Sequence, residues 1–432
     1  MAEFLRILYN VLFTLLSPLL LARIWWRERR HPTYRKRWNE RFALRLPQGP
    51  DEKPIWIHAV SVGETVAATP LIDYLVTHHP SIPILITTTT VTGAQAAQDR
   101  FGTKVQHVFL PYDLPSAMGR FLSHFEPRIL VLMETELWPN LLRKCRSEKV
   151  PVLIANARLS SKSVANYGLI SRVTAEMMNS IECFAAQGAV DGERFIALGA
   201  PPASVTVTGS LKFDVALPPS AEESGQSMRR KLGVSRAIFM AGSTREGEEE
   251  ILLRAFEGLK VHHPTLLLLL APRHPERFAG VAELCRKNGL EVVRHSSATA
   301  CRAQTNVYLI DSMGELPKFY AASDVAFVGG SLVPRGGHNV LEPAALGVPV
   351  VVGPHTFNFP EITKMLDEQG ALYVVSDEDE LITKVGQLLS SANLRDIAGS
   401  AGRRIVSQNK GATIKITGII DRMLERTKDF AA

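Results

Sequence analysis

The chain has 432 residues, 46% hydrophobic and 21% charged, enough apolar side chain for two or more folded domains. Its four cysteines, Cys145, Cys183, Cys285 and Cys301, are scattered with no C-x-x-C or Cys/His cluster. That argues against a disulfide framework or a zinc site and for free buried thiols in a reducing compartment. The formal charge of +6 is mostly local, since residues 27–41 hold seven Arg/Lys against two Glu, too confined a patch for a nucleic-acid binder.

The first predicted element is an apolar helix, "FLRILYNVLFTLLSPLLLARIWW", residues 4–26. No charge falls between Ile7 and Ala22. As a helix the segment covers roughly 30 Å of hydrocarbon, with Arg6 and Arg23 snorkelling and Trp25 and Trp26 at the boundary. No small-x-small cleavage site follows, which argues against a signal peptide. The expectation is an uncleaved membrane anchor over residues 1–26; a helix lying in the interface, bent at Pro18, is the alternative. Residues 27–54 follow as a basic juxtamembrane segment. Positive-inside logic puts it and everything after it in the cytoplasm. The run would draw in anionic head groups, unless it is an ordinary solvated linker face.

From residue 55 strands and helices alternate. Residues 55–60, 84–89, 105–110, 129–133, 152–155, 182–186 and 205–207 read as strands, with helices at 65–77, 94–100, 116–125 and 138–148. Residues 212–227, "KFDVALPPSAEESGQS", read as a linker. The alternation resumes with strands at 237–240, 265–271, 291–293, 307–310, 325–328 and 348–352, and helices at 248–261, 276–287, 316–322 and 342–346. Residues 377–428 read as helical almost throughout. The fold class is therefore α/β. A Rossmann-like domain over 55–211 and a second over 228–376 are followed by C-terminal helices over 377–432. Two such domains face to face would make a cleft between the loops that follow their strands, where ligands bind.

Those loops hold the candidate residues. In the first half they are "HAVSVGET", "METELWPN", "NARLS" and "GSLKFD", which carry His58, Ser61, Glu64, Glu134, Glu136, Asn156, Arg158, Ser160 and Lys212. Two readings stand for Glu64 and Glu136: acid/base groups, or first-turn residues that complement a helix dipole. Glu134 sits closer to its strand end, where capping explains it less well. In the second half the loops are "AGSTREGEEE", "APRHPERF", "DSMGELPKFY" and "VGGSLVPRGGHNVLEPAALGVPVVVGP". Gly329, Gly330, Gly336 and Gly337 let backbone approach a ligand. Residues 339–342 open a helix suited to a phosphate, Glu342 suits a ribose diol, and Arg273 suits a phosphate or merely a salt bridge. "DED" at 377–379 reads as a helix start rather than a metal site. No Walker A motif, G-x-G-x-x-G or H-E-x-x-H is present.

The ordered set HAVSVGE, METELWPN, NARLS, GSLKFD, GSTREGE, APRHPERF, MGEL and GGHNVLEPAALGVPV closely resembles the 3-deoxy-D-manno-octulosonic acid (Kdo) transferases, from the N-terminal segment to about residue 360. The resemblance implies a GT-B glycosyltransferase, two Rossmann-like domains and an N-terminal anchor, at the cytoplasmic face of the inner membrane. It implies transfer of Kdo from CMP-Kdo to the lipid A precursor (lipid IVA) with inversion and release of CMP, early in lipopolysaccharide core assembly, with no cofactor or metal. By the same resemblance Glu64 is the general base, and Glu134 and Lys212 stabilise the transition state. Pro272, Arg273, Met313, Gly314, Glu315, Asn339, Val340, Leu341 and Glu342 bind CMP. Val340 departs from the family's usual proline. Lys212 has two open uses, holding the Kdo carboxylate or the CMP phosphate. Many retaining GT-B enzymes carry E-x7-E in the last loop; the position eight before Glu342 is Pro334, which fits inversion. UDP-sugar transferases and epimerases share the glycine-rich loop but not METELWPN with GSLKFD, and a membrane-tethered binding module would leave the carboxylates unexplained.

Overall fold

The computed structural model describes residues 2–27, 37–214, 217–218, 220–297 and 299–429. Most of the basic run, residues 28–36, thus lies outside the described residues. The chain divides into two compact units, Met1–Asp214 with Lys410–Ala432, and Val215–Asn409.

The strands of the first unit are β1 (Ile55–His58), β2 (Ile84–Thr88), β3 (Gln106–Phe109), β4 (Ile129–Met133), β5 (Val152–Ala157), β6 (Cys183–Ala186) and β7 (Val205–Val207). They form one parallel sheet in the order β3-β2-β1-β4-β5-β6-β7. Every residue of β1, β2, β4 and β5 is buried, as continuous apolar runs covered on both faces require. Trp56 of β1 packs on Phe121 with ring centroids 4.8 Å apart and donates its indole N–H to Thr87 Oγ1 at 2.8 Å, so its one polar group is not stranded. The order reverses between β1 and β4, which is where such a sheet opens a crevice beyond its strand ends.

The second unit holds β8 (Ile238–Thr244), β9 (Leu267–Pro272), β10 (Val292–Arg294), β11 (Val307–Leu309), β12 (Val325–Val328), β13 (Val350–Val352) and β14 (Leu372–Val374). These form a second parallel sheet, β10-β11-β9-β8-β12-β13-β14, whose switch point lies between β8 and β12. Strand β14 falls in a stretch that carried no strand expectation; three residues at a sheet edge give too short a pattern to read. Asp377 does cap the next helix, its side chain accepting from Glu380 N at 3.0 Å.

The C-terminal helices do not form one tail. Glu378–Ser390 and Ala392–Asn409 stay with the second unit, while Ala412–Asp429 returns to the first. Ala412, Ile416, Ile419, Ile420, Met423 and Leu424, a stripe at helical spacing, are buried in the same core as Ile55, Ile57, Leu71 and Ile72. Asp214 fixes the start of this helix by accepting from Gly411 N at 2.7 Å and Thr413 N at 2.5 Å. The stretch expected as a linker is also partly ordered, with the helix Ala221–Leu232 occupying its second half.

The N-terminal segment is a helix, Ala2–Arg27. Phe4, Ile7, Leu8, Val11, Leu12, Leu15, Leu16 and Leu19 are exposed. Between them runs a docked face. Tyr9 donates to Asp113 Oδ2 at 3.1 Å, Asn140 Nδ2 donates to Asn10 Oδ1 at 2.8 Å, and Phe13 meets Tyr112 at 6.3 Å between ring centroids. Among the described residues no helix is long and apolar enough to cross a membrane.

The end of the basic segment is structural. Arg37 pairs with Glu40 at 2.6 and 2.8 Å and donates to His107 O at 2.9 Å. Arg41 lies 4.1 Å over the Phe109 ring and donates to Thr89 O at 2.8 Å. Burial, followed by the charges of Arg37 and Arg41, pushes His107 down to about 3.

Ending the chain at Asn409 should unfold the first unit rather than trim a tail. Five large apolar side chains of the last helix would be lost from the core, about 10 kcal/mol in all at about 2 kcal/mol each, comparable to a whole domain's stability of about 5–15 kcal/mol. Thermal denaturation of the truncated chain checks this; an unchanged first transition would contradict it.

Candidate active site

In the first unit, β1 ends on His58 and the chain turns into the short helix Val62–Ala67. Glu64 lies in its first turn and reaches back, accepting from Val60 N at 2.8 Å and Ser61 Oγ at 3.0 Å. This is close to a capping box, so the helix-start reading of Glu64 is geometrically real. It does not exhaust the carboxylate, which has about four acceptor positions. Burial is the largest influence on Glu64 and lifts it to about 6; the two hydrogen bonds and Arg158 oppose the rise, and Glu134 adds to it.

Glu134 follows β4 in the left-handed region, φ 58°, and accepts from Arg158 Nε at 2.9 Å. Glu136 accepts from Trp138 Nε1 at 2.9 Å. Burial first, then the Glu64 charge, then Glu134, push Glu136 up to about 7 against that hydrogen bond. The structure therefore brings Glu64, Glu134, Glu136 and Arg158 together over the switch point. Glu136, a sequence candidate to which the resemblance gave no role, lies before the helix Pro139–Ser147 rather than in its first turn. His58 is a buried neutral side chain, its Nδ1 at 2.9 Å from Thr87 Oγ1, and burial lowers it to about 4.

Lys212 sits in the helical turn Leu211–Phe213. Its link to the strand ends runs through Asn156, which is buried with φ 56° in a register shift of β5 and accepts from Leu211 N at 3.0 Å. Thus the strand-end asparagine orients the lysine turn through the backbone.

In the second unit four loops leave the sheet together. Thr244 is in register with Pro272, and Arg273 N donates to Thr244 O at 3.0 Å. A Cβ on Gly329 would lie 2.5 Å from Ser243 O, so only glycine lets the β12 loop pass so close to the end of β8. Glu248 ties the two loops: Oε2 accepts from Arg245 N at 2.9 Å and Gly330 N at 2.6 Å, and Oε1 from Ser331 N and Leu332 N, both at 2.9 Å. Met313 is exposed, Gly314 has φ 80°, and Glu315 pairs with Lys318 and, at 3.4 Å, with His295.

The stretch Asn339–Glu342 is more self-engaged than a phosphate cradle would be. Its helix, Leu341–Ala345, is a single turn. Asn339 accepts from Leu341 N at 3.1 Å and donates to Glu342 Oε1 at 3.1 Å, while burial raises Glu342 despite that bond. Val340 has φ −81°, close to what the family's proline would impose, so the departure leaves the backbone in place. The positive charge lies elsewhere. Arg245 Nε donates to His338 Nε2 at 3.1 Å, and Arg245 also meets His274. Burial lowers Arg245, and Arg273, Arg335 and Arg277 add to this. Burial, then Arg245 and Arg273, hold His338 down at about 4.

Two parallel Rossmann-like sheets with polar residues gathered at both switch points define a glycosyltransferase of the GT-B class. The profile of the glycosyl transferases group 1 matches residues 234–405. A glycosyltransferase structure from Rickettsia africae superposes with TM-score 0.54 at 13% identity, covering 87% of this chain and 99% of that one, and supports the fold alone. The profile described as 3-Deoxy-D-manno-octulosonic-acid transferase (kdotransferase) matches residues 36–215. The 3-deoxy-D-manno-octulosonic acid transferase of Haemophilus influenzae is 42% identical over 98% of this chain and 99% of its own, and that of Bordetella pertussis 37% over 94% and 97%. The chain belongs to the 3-deoxy-D-manno-octulosonic acid transferases.

Glu64 also carries a stability prediction. Its folded value of about 6 lies above that of an exposed carboxyl, about 4.3. The fold therefore favours the protonated form, and stability falls as pH rises from about 4 to about 6. Glu64→Gln should melt above wild type at pH 8, with the gap closing as the pH is lowered through that window. A lower melting temperature at pH 8 would contradict the burial argument.

Proposed function

We propose that the protein transfers Kdo from CMP-Kdo to a hydroxyl of the lipid A precursor, lipid IVA, with inversion at the anomeric carbon and release of CMP. The observation that carries the mechanism is Glu64: a carboxylate of raised pKa at a sheet switch point, next to Glu134 and Arg158. A base that titrates near neutrality can take a hydroxyl proton and still be ionised at working pH. The acceptor oxygen forms its bond to the anomeric carbon as the bond to the CMP phosphate breaks, and the acceptor proton passes to Glu64. The electron pair leaves on CMP. Arg273 takes up the phosphate charge, and the reading calls on no metal.

Glu134 faces the developing positive charge of the sugar, with Arg158 holding its carboxylate in place. Lys212, on the turn set by Asn156, meets an anion of the donor. Pro272, Arg273, Met313–Glu315 and Asn339–Glu342 receive CMP, with Glu342 directed to the ribose.

The N-terminal helix places this chemistry at a membrane. Its docked face holds Tyr9, Asn10 and Phe13 against the first unit, and its other faces expose leucines. That arrangement fits a helix lying in the interface of the cytoplasmic leaflet better than one that spans it. The acceptor, a bilayer-embedded and doubly phosphorylated lipid, would then reach the site without leaving the membrane.

The test is turnover of CMP-Kdo and lipid IVA by the purified chain, followed as CMP release and product mass. The rate should fall about tenfold per pH unit below a limb near 6. Glu64→Gln should lower it by about 10²–10⁴-fold while CMP-Kdo still binds. Near-normal turnover in that variant would remove the base assignment.

Replacing Leu8, Leu12 and Leu15 together with Glu should abolish association with vesicles of anionic lipid and leave the affinity for CMP unchanged. Retained vesicle association would place membrane contact elsewhere.

A further inference from the structure

The second unit gathers positive charge that its own carboxylates do not balance. Among the described residues, Arg277 has acidic partners, Glu249 at 3.0 Å and Glu246 at 3.7 Å. Arg245, Arg273 and Arg335 have no side-chain ion pair among those residues. Glu246, next to Arg245 in sequence, lies against Arg277, and Glu248, whose charge also acts on Arg245, has both oxygens spent on four backbone amides. Three like charges against the one buried carboxylate of Glu248 cost stability, and a site that bears such a cost is a candidate for an anionic ligand.

Place and aim sharpen this. Thr244 and Pro272 are paired across β8 and β9, so Arg245 and Arg273 are the next residues on adjacent strands, whose axes lie about 4.8 Å apart. Arg245 sits beside the β8/β12 switch point. Its Nε bonds His338 Nε2 at 3.1 Å and its Nη1 bonds His274 Nε2. Both rings accept these bonds, which fixes them neutral and fixes the guanidinium plane. A guanidinium has about five N–H donors in a rigid fork; these two bonds leave about three of them for a ligand, a fork that matches a planar carboxylate in bidentate fashion.

The donor's chemistry supplies a second anion. In a CMP-linked 2-keto acid sugar the phosphate oxygen and the carboxylate are attached to the same anomeric carbon. A site for it needs two adjacent anion receptors, where an aldose nucleotide needs one. We propose that Arg245, held between His338 and His274, receives the sugar carboxylate of the donor while Arg273 meets the phosphate, and that this pair selects an acidic ketose. The inference rests on the donor being CMP-Kdo. It gives the pocket a reason to reject neutral sugars, since a partly buried guanidinium left without its ligand anion penalises a ligand that brings no charge to it.

The test compares CMP and CMP-Kdo on the full chain with Arg245→Gln and Arg245→Lys. CMP carries the phosphate without the sugar, so its Kd should stay within about twofold in both variants, which also shows that the second unit is folded. For CMP-Kdo, Arg245→Gln should raise the Kd and lower kcat/KM by about 10- to 100-fold, the worth of a charge-assisted hydrogen bond to a buried group. Arg245→Lys should fall between, since it keeps the charge and loses the fork. The carboxamide of CMP-Kdo, which lacks the charge, should bind wild type and Arg245→Gln alike. Equal losses for CMP and CMP-Kdo would make Arg245 a phosphate ligand and overturn the proposal, as would unchanged CMP-Kdo kinetics or a carboxamide still sensitive to the substitution. Wild-type chain that binds CMP but does not turn over CMP-Kdo would instead overturn the donor assignment, and this inference with it.

Discussion

Glu248 is a carboxylate with no exposed surface whose two oxygens accept four backbone amides, from Arg245, Gly330, Ser331 and Leu332. Stripping a carboxylate of water is expensive, and charged hydrogen bonds are what offset the cost. The bonds also solve a problem of the fold. Where a parallel sheet ends, the chains of β8 and β12 leave it side by side, and their first free N–H groups have no strand to bond. One side chain satisfies them and fixes two loops against each other. The directions of Arg245, of the glycine turn and of His338 all depend on that anchorage.

The first unit meets the same problem with a neutral group. Asn156 occupies a left-handed conformation, and its Oδ1 accepts from Leu211 N at 3.0 Å. Glu134, just after the neighbouring strand β4, is left-handed too. Strain of this kind costs about 1–3 kcal/mol per residue and persists where surrounding structure enforces it. In both units one polar side chain serves the backbone so that its neighbours can serve a ligand. In the first unit neighbouring carboxylate charges add to the rise of Glu64 and Glu136, and in the second neighbouring guanidinium charges add to the lowering of Arg245. The opposite signs match the proposed division of labour: proton acceptance in one unit, anion binding in the other.

What could be read in the sequence follows from what each signal encodes. β1 and β4 were legible because strands buried on both faces are unbroken apolar runs, and the loops after them could then be named. Strand β14 was too short to leave a pattern. The last helix showed its amphipathic face, but periodicity says that a face is buried, not in which core, so its return to Ile55 and Ile57 was hidden. Glu248 was hidden differently. In "REGEEE" it looks like one of three acidic residues of a first helical turn, and only the β12 loop, more than 80 residues away, gives it partners. The same distance concealed Arg245. Glu136 was visible as one half of E-x-E, yet its closeness to Glu64 depends on the β1/β4 switch.

The basic stretch after the N-terminal helix shows how counting charge can mislead. Seven Arg/Lys in residues 27–41 suggest a patch for anionic lipid. Two of them are committed inward: Arg37 to Glu40 and His107, Arg41 to the Phe109 ring and Thr89. Glu40, one of the two acids in the run, is spent on Arg37 and Phe109 N, at 2.9 Å from the latter. A guanidinium stacked on a ring and bonded to a carbonyl cannot also coordinate a head group. The charge left over for the proposed anionic surface is therefore smaller than the local count, and at about 1 kcal/mol per basic residue near such a surface the difference is of the order of 2 kcal/mol. In the proposed membrane attachment the exposed leucines of the helix would supply the rest, so it should depend more on apolar area than on salt. The internal pairs of Arg37 and Arg41 do something else: they fix the entry of the chain beside β3, and with Tyr9 and Asn10 they set the helix at a defined angle to the sheet whose strand ends carry Glu64.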